Sequence, residues 1–213
     1  MVKRSFELVV IAVLAVFVLS FTPARAADAS VSFGYVDVTT VFEKYTKTEK
    51  AKADLDAFGR QLELQLRTLD ANKLLDENDS KELISLVIKP NPNESEKARI
   101  KELQDKEKAL DSELKGLQSK QEPTDQEKAR QKELMDRASK SDENLKQMSQ
   151  SADTEFNTKK ESTLTEIRND FMKAVEEVAK QKKVSFVVDK IAVFYGGVDL
   201  TQQVLDKLNG KKN

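Results

Sequence analysis

The side chains that most often perform catalysis or bind transition metals are missing from this sequence. Cys and His are absent altogether, which excludes thiolate and imidazole catalysis and most zinc sites. No glycine-rich phosphate loop and no nucleophile–base pair is recognisable. The sequence therefore predicts no catalytic residue, no metal ligand, no cofactor and no enzymatic activity.

One acidic cluster, residues 76–80, is similar to the opening of a calcium-binding loop. Such a loop needs Gly at its sixth position and Glu at its twelfth. Lys81 and Val87 occupy those positions. We therefore interpret the cluster as a cap for the free backbone N–H groups at a helix start.

The balance of residue types favours long helices. Charged residues make up 34% of the chain and hydrophobic residues 38%, whereas an ordinary globular domain has about 45–50% apolar residues. Six Gly and four Pro are too few for a turn-rich all-β fold. The formal net charge is −1, so no basic surface for nucleic acid is indicated.

Residues 1–26 have the pattern of a cleavable secretory signal peptide. A positively charged start precedes the apolar run 8–19, and the sequence Ala-Arg-Ala at 24–26 favours cleavage between Ala26 and Ala27. The apolar run is shorter than the roughly 20 residues that a membrane span requires. We expect an exported mature protein.

Aromatic residues are concentrated near the two ends of the mature chain. None occurs between Gly59 and Glu155, although aromatic side chains dominate most protein cores. We expect the two ends, residues 27–42 and 184–213, to form one small body. Residues 43–183 are expected to project from it as an arm.

Short β-branched and aromatic segments predict strands in the body. These segments are residues 31–38, residues 184–188 and, after a turn, Ile191–Tyr195. Asp199 is expected to cap a last helix that ends near Leu208.

Apolar residues recur at helical spacing on both sides of the arm. The outgoing seam contains Leu55, Phe58, Leu62, Leu66 and Leu69, and the returning seam contains Leu164, Ile167, Phe171, Val175 and Val178. This spacing predicts two helices that pack antiparallel through their apolar faces. Breaks are expected at the prolines of 90–92 and 122–124, with a softer break at 76–80.

Two parts of the arm have similar sequences at an offset of 31 residues. Pro92, Glu96, Lys97, Ala98, Arg99, Lys101, Glu102, Leu103 and Asp105 recur as Pro123, Glu127, Lys128, Ala129, Arg130, Lys132, Glu133, Leu134 and Asp136. We interpret residues 92–118 and 123–149 as a duplicated helical segment that lengthens or thickens the arm. Chance similarity between two helices rich in Lys and Glu is the alternative.

Two terminal motifs connect the sequence with a known family. Residues 34–38 are followed by Val41-Phe42, and a C-terminal stretch from about Ile167 to Leu208 includes the motif Phe186-Val187-Val188-Asp189. In their order and spacing these segments resemble the Skp/OmpH family of periplasmic chaperones. The resemblance implies an α+β, mostly helical fold, with a small trimeric β-strand body and a long antiparallel helical hairpin as the arm.

The resemblance also implies which residues build the oligomer body. They are Phe33, Tyr35, Val36, Val38, Phe186, Val188, Val193 and Tyr195. Family members shelter unfolded outer-membrane proteins through diffuse contacts, so no client-binding residue is assigned. Contact with membrane lipid is not indicated by charge, because residues 43–89 contain nine Lys or Arg and ten Asp or Glu.

The leading hypothesis is an ATP-independent periplasmic holdase that binds unfolded outer-membrane or periplasmic proteins and prevents their aggregation. The expected partners are these clients and two further copies of the chain, without nucleic acid. The alternative is a coiled-coil spacer or scaffold of the cell envelope, which would use the same apolar seams without affinity for unfolded chains.

Overall fold

The computed structural model describes residues 32–210, which form a small α/β body and a long helical arm. The signal peptide predicted for residues 1–26, with cleavage between Ala26 and Ala27, lies outside the described residues. The elements are β1 (Phe33–Val36), α1 (Val38–Lys44), α2 (Thr46–Ala71), α3 (Glu77–Val87), α4 (Glu94–Gln118), α5 (Asp125–Lys182), β2 (Phe186–Asp189), β3 (Val198–Asp199) and α6 (Thr201–Leu208). The fold is α+β and mostly helical, which confirms the predicted class.

The three strands form one parallel sheet in the order β2-β1-β3. Phe33 pairs with Phe186 across β1 and β2, and Gly34 pairs with Val198 across β1 and β3. Parallel neighbours need a crossover connection, and the whole arm forms the crossover from β1 to β2. A Cβ atom at Gly34 would lie 2.7 Å from Leu200 Cδ1, so α6 packs closely on the sheet only because this residue is glycine.

The core of the body lies between the sheet, α1, α6 and the last turns of α5. Its buried residues are Val36, Val41, Ala174, Val178, Leu200 and Val204, with Phe171, Val175, Val184, Val187 and Leu208 packed around them. The end of the returning seam therefore belongs to the body core. Asp37 caps α1 by accepting a hydrogen bond from Thr40 N at 2.9 Å, which satisfies a free N–H group at the helix start.

The prediction of a strand at Ile191–Tyr195 is wrong. A 3₁₀ helix, Lys190–Ala192, follows β2, and the third strand is Val198–Asp199 instead. The Asp189 carboxylate accepts a hydrogen bond from Ile191 N at 3.3 Å, which favours a turn at the point where a strand would have to continue. The loop then returns through Gly197, whose φ is 86°, a backbone conformation that favours glycine.

The arm is more than a two-helix hairpin. Helix α5 has 58 residues and is about 87 Å long at 1.5 Å per residue. Helix α2 runs outward along it, α3 turns back towards the body, α4 runs outward again, and α5 returns from the tip. Four helices thus lie side by side in the middle of the arm, whereas only α4 and α5 form its outer end.

The middle of the arm has its own aliphatic core despite its lack of aromatic residues. The buried residues are Leu74, Leu75, Leu83, Leu103, Leu110 and Leu134. Leu83, Leu103 and Leu134 are completely buried. The predicted seams are largely correct, but Leu164 is 55% exposed and does not take part in the contact between α2 and α5.

Candidate functional site

The loop after β2 presents an apolar surface to solvent. The side chains of Ile191, Phe194 and Tyr195 are 90%, 104% and 95% exposed. Phe186 and Val198, on the two outer strands of the sheet, are about half exposed. Large apolar side chains exposed in this number often mark interaction sites on folded proteins. We call these five residues the body face.

The structure separates the residues that the sequence assigned to an oligomer body. Phe33 and Phe186 stack with their ring centroids 5.7 Å apart, and Tyr195 lies in the body face. Tyr35, Val188 and Val193 are partly buried. In contrast, Val36 is 1% exposed and packs in the core of the body within the single chain. Val38 begins α1 and is not part of a strand.

A polar cluster joins the base of α2 to α5 and fixes where the arm leaves the body. Lys47 Nζ donates hydrogen bonds to Asp170 Oδ2 at 2.7 Å and to Glu166 Oε1 at 2.6 Å. The buried Tyr45 donates its hydroxyl hydrogen bond to the same Asp170 oxygen at 3.0 Å. The bond from Lys47 holds the pKa of Asp170 below its usual value. Burial, together with the bond to Asp170, raises the pKa of Tyr45.

Glu107 holds the turn at which α3 folds back. Its carboxylate accepts hydrogen bonds from Leu74 N and Leu75 N at 3.0 to 3.1 Å. Burial raises the pKa of Glu107 above its usual value, although the backbone bonds act in the opposite direction. Asp76 caps α3 by accepting from Asn78 N and Asp79 N.

The sequence did not reveal the role of Glu107. Glu107 lies among the alternating Glu and Lys residues of α4. That pattern is typical of solvent-facing residues that pair with charges four positions away. Only the path of the chain through residues 72–76 brings two backbone N–H groups to its carboxylate. No local signal could have identified it.

The charges along the arm are largely paired with one another. Lys73 lies 3.0 Å from Asp70 and 2.8 Å from Asp142, and Lys140 lies 3.5 Å from Glu77. Pairs of this kind on exposed surfaces contribute little to stability. Because these ion pairs join charges of opposite sign, the arm does not present a strong electrostatic field of one sign.

Within residues 32–210, no group of three or more acidic side chains is placed to hold a metal ion. In the same part of the chain, no helix is both long enough and apolar enough to cross a membrane.

The comparison with protein families agrees with this architecture. The family described as "Outer membrane protein (OmpH-like)" matches residues 32–208, nearly all of the described chain. The chain belongs to this family. The match includes the arm with its extra helices α3 and α4, as well as the terminal segments that carried the resemblance. No curated protein matches the sequence.

Proposed function

We propose that this OmpH-like protein is an ATP-independent holdase chaperone of the periplasm, whose clients are unfolded outer-membrane proteins. The observation that supports the proposal is a long helical arm in a chain of the OmpH-like family. This arm forms the crossover connection between β1 and β2 of a small parallel sheet. The 58 residues of α5 give the arm a length of about 87 Å, and thus a long surface along which contacts can be spread. Holding an unfolded client needs many weak contacts spread over such a surface.

The proposed holding contacts are apolar and dispersed. Leu64, Met135, Leu164 and Met172 are at least one-third exposed along the arm. Methionine adapts to varied partners because its side chain is unbranched and polarizable. Since the arm's charges are paired among themselves, steering of acidic clients or lipid headgroups contributes little.

Three copies are proposed to assemble through the body face. A side chain as exposed as Phe194 or Tyr195 adds nothing to the core of its own protomer, but it can be buried against a neighbour. The body core is also small, and a small core gains stability when further surface is buried by oligomerisation. Export to the periplasm is proposed from the signal-peptide pattern of residues 1–26.

The function is tested with the purified mature protein and a urea-unfolded outer-membrane β-barrel protein. On dilution from urea, we expect a few-fold molar excess of trimer to suppress light scattering from client aggregates, without nucleotide. Added ATP should change nothing. Aggregation that proceeds at the same rate with and without the protein would exclude the holdase and favour a structural spacer.

A further inference from the structure

Most of the body face lies on one loop, residues 190–197, which we call the face loop. Its residues Ile191, Phe194 and Tyr195 are almost fully exposed, so their side chains contribute no burial that would hold the loop in place. Within the loop, Val193 alone is partly buried. Segments with so little buried apolar surface open easily. The conformation of the face loop in a single protomer therefore depends on a small number of specific contacts.

One contact attaches each end of the face loop to the body. At its end, Gly197 lies against the ring of Phe33, since a Cβ atom at Gly197 would be 2.5 Å from that ring. At its start, Lys190 Nζ donates a hydrogen bond to Asp37 Oδ2 at 3.0 Å. Within residues 32–210, no other side-chain hydrogen bond joins the face loop to β1, α1 or α6. Lys190 is therefore the polar anchor of the loop.

Asp37 is itself held firmly by two other elements. Its Oδ1 accepts a hydrogen bond from Thr40 N at 2.9 Å and so caps α1. Its own N–H donates to Thr201 Oγ1 at 2.9 Å, at the start of α6. The second carboxylate oxygen, Oδ2, is the one that Lys190 binds. A carboxylate fixed in this way ties Lys190, and with it the face loop, to the frame that α1 and α6 provide.

We propose that Lys190, held by Asp37, is a positioning residue for trimer assembly: the ion pair keeps the face loop in the conformation in which Phe194 and Tyr195 meet the neighbouring protomers. This inference rests on the trimer proposed above and names the contact that prepares its interface. A surface that is already ordered in the free protomer loses less conformational freedom on association. The ion pair therefore favours assembly from inside each protomer.

The symmetry of a trimer multiplies the effect of a weak contact. Loss of an exposed ion pair changes an equilibrium by a factor of roughly three. In a trimer the contact occurs three times, so its loss should lower the association constant about thirtyfold. Because three chains combine in one complex, the concentration at which half of the protein is trimeric should rise about fivefold.

The first test compares Lys190→Met with Lys207→Met, which makes the same change of charge. Lys207 pairs with Glu177 at 2.5 Å and joins α6 to α5, outside the face loop. Light scattering over a range of concentrations gives the midpoint of assembly, after circular dichroism has shown unchanged helix content. We expect an about fivefold higher midpoint for Lys190→Met and an unchanged midpoint for Lys207→Met.

Variants at both partners show whether the charge itself matters. Asp37→Asn keeps a good helix cap but removes the charge, so it should raise the midpoint as Lys190→Met does, without further change in the double variant. Lys190→Arg retains the charge and should assemble as the wild type does. In about 1 M salt, where charges are screened over roughly 3 Å, the midpoints of Lys190→Met and the wild type should approach each other. Loss of packing alone would give no such dependence on salt.

Proteolysis distinguishes a positioned loop from a direct contact across the interface. Chymotrypsin, which cleaves after aromatic residues, is applied to monomers well below the midpoint concentration. Cleavage after Phe194 or Tyr195 should be several-fold faster in Lys190→Met than in the wild type or Lys207→Met, because loosely held loops are preferred sites of cleavage. Equal rates together with weaker assembly would overturn the positioning role and place Lys190 in the interface itself.

The remaining outcomes separate this inference from the assembly on which it rests. If the wild type is trimeric and Lys190→Met has the same midpoint, the positioning role is overturned and the trimer is not. A wild type that is monomeric at every concentration overturns both. Loss of helix content in Lys190→Met would assign the ion pair to folding of the protomer and would also overturn the positioning role.

Discussion

Glu82 accepts two hydrogen bonds from the guanidinium of Arg99, 3.0 Å from Nε and 2.8 Å from Nη2. Glu113 and Arg130, each 31 residues later in the sequence, form the same bidentate pair at 2.8 and 2.9 Å. The first pair, the inner clasp, joins α3 to α4, and the second, the outer clasp, joins α4 to α5. Residues at the 31-residue offset of the near-repeat therefore make the same contact twice along the arm.

The two helix turns beside the clasps are also equivalent. Each has a capping box and a lysine contact: Asn93, Glu96 and Lys89 in the first, and Thr124, Glu127 and Lys120 in the second. Each turn lets the chain reverse, because the cap satisfies the free N–H groups of the new helix. The shared contacts begin at Glu82 and Glu113, each ten residues before the proline (Pro92 or Pro123) at the start of a copy, so Glu113 lies near the end of the first copy.

Deletion of residues 90–120 joins Lys89 to Gln121 and leaves one copy of the turn between helices. We predict that α2 and α3 then form one continuous helix, so that the arm becomes straight. Residues 72–76 contain neither Pro nor Gly, and the deletion removes Glu107, which holds their N–H groups in the turn. We expect α2 to continue past Lys73, which pairs with Asp142 of α5, through the residues that form α3 in the full chain. In this antiparallel pair of helices, Glu82 would lie about one helical turn from Arg130. We expect a folded hairpin of two helices, visible in its scattering envelope.

Charge exchange tests this register. In the shortened chain, Arg130→Glu should lower the melting temperature and Glu82→Arg should restore it, because these two residues would then form the clasp. In the full chain the same exchange should not restore stability, since Glu82 pairs with Arg99 there. A double-mutant cycle measures the coupling, and absence of coupling in the shortened chain would contradict the straight arm.

The sequence predicted the ends of the helices in the arm better than their directions. Proline and capping residues mark residues 90–92 and 122–124 locally, so both breaks could be identified. Whether α3 continues outward or folds back depends on distant contacts, above all on Glu107. The groove lined by Leu62, Ile84 and Met148 could not be predicted for the same reason, because its α3 wall exists only after α3 has reversed.

Leu103 and Leu134 occupy equivalent positions in the two copies, and both are completely buried in the arm core. Leu103→Ala and Leu134→Ala should each lower the free energy of unfolding by about 2–5 kcal/mol, since each leaves a cavity. Leu164→Ala, at an exposed position of α5, should change it by less than about 0.5 kcal/mol. Urea denaturation of the three variants measures the differences. Equal small effects would show that the middle of the arm has no tightly packed core.

The cluster at the base of the arm makes stability depend on acid. The Asp170 carboxyl has a pKa below its ordinary 3.8 in the folded protein, chiefly because of the bond from Lys47. Its contribution to stability is therefore present above pH 3.8 and is lost as the pH falls through the lowered value. Asp170→Asn should lower the melting temperature at neutral pH and have progressively less effect as the pH falls below 3.8, as followed by circular dichroism.

A matched variant identifies the partner in this acid effect. Lys47→Met removes the cation and should reduce the acid dependence to the same extent as Asp170→Asn, without further loss in the double variant. Tyr45→Phe keeps the ion pair and should retain most of the dependence. Full acid dependence in Lys47→Met would assign the effect to another carboxyl group.

The sequence predicted the first two strands of the sheet but not the third. Alternating apolar residues indicated β1, and a short β-branched segment indicated β2; both strands contribute side chains to the core of the body. The apolar run Ile191–Tyr195 has the same composition but contributes no strand, and it places three large side chains in solvent. The family resemblance assigned Val36 and Tyr195 alike to an oligomer body, because a sequence motif does not distinguish a side chain in the core from one in solvent; in the structure Val36 is 1% exposed and Tyr195 95%.

The full exposure of Phe194 and Tyr195 leads to a prediction about the assembly of the protein. Phe194→Ser and Tyr195→Ser together should abolish the trimer without unfolding the protomer, because both side chains are fully exposed and outside its core. Light scattering should give the mass of one chain at micromolar concentration, with unchanged helix content. Met172→Ser, at an exposed residue of α5 near the body, is the control and should remain trimeric. A double variant that keeps the mass of three chains would place the interface elsewhere, and a monomeric wild type would show that the body face serves another partner.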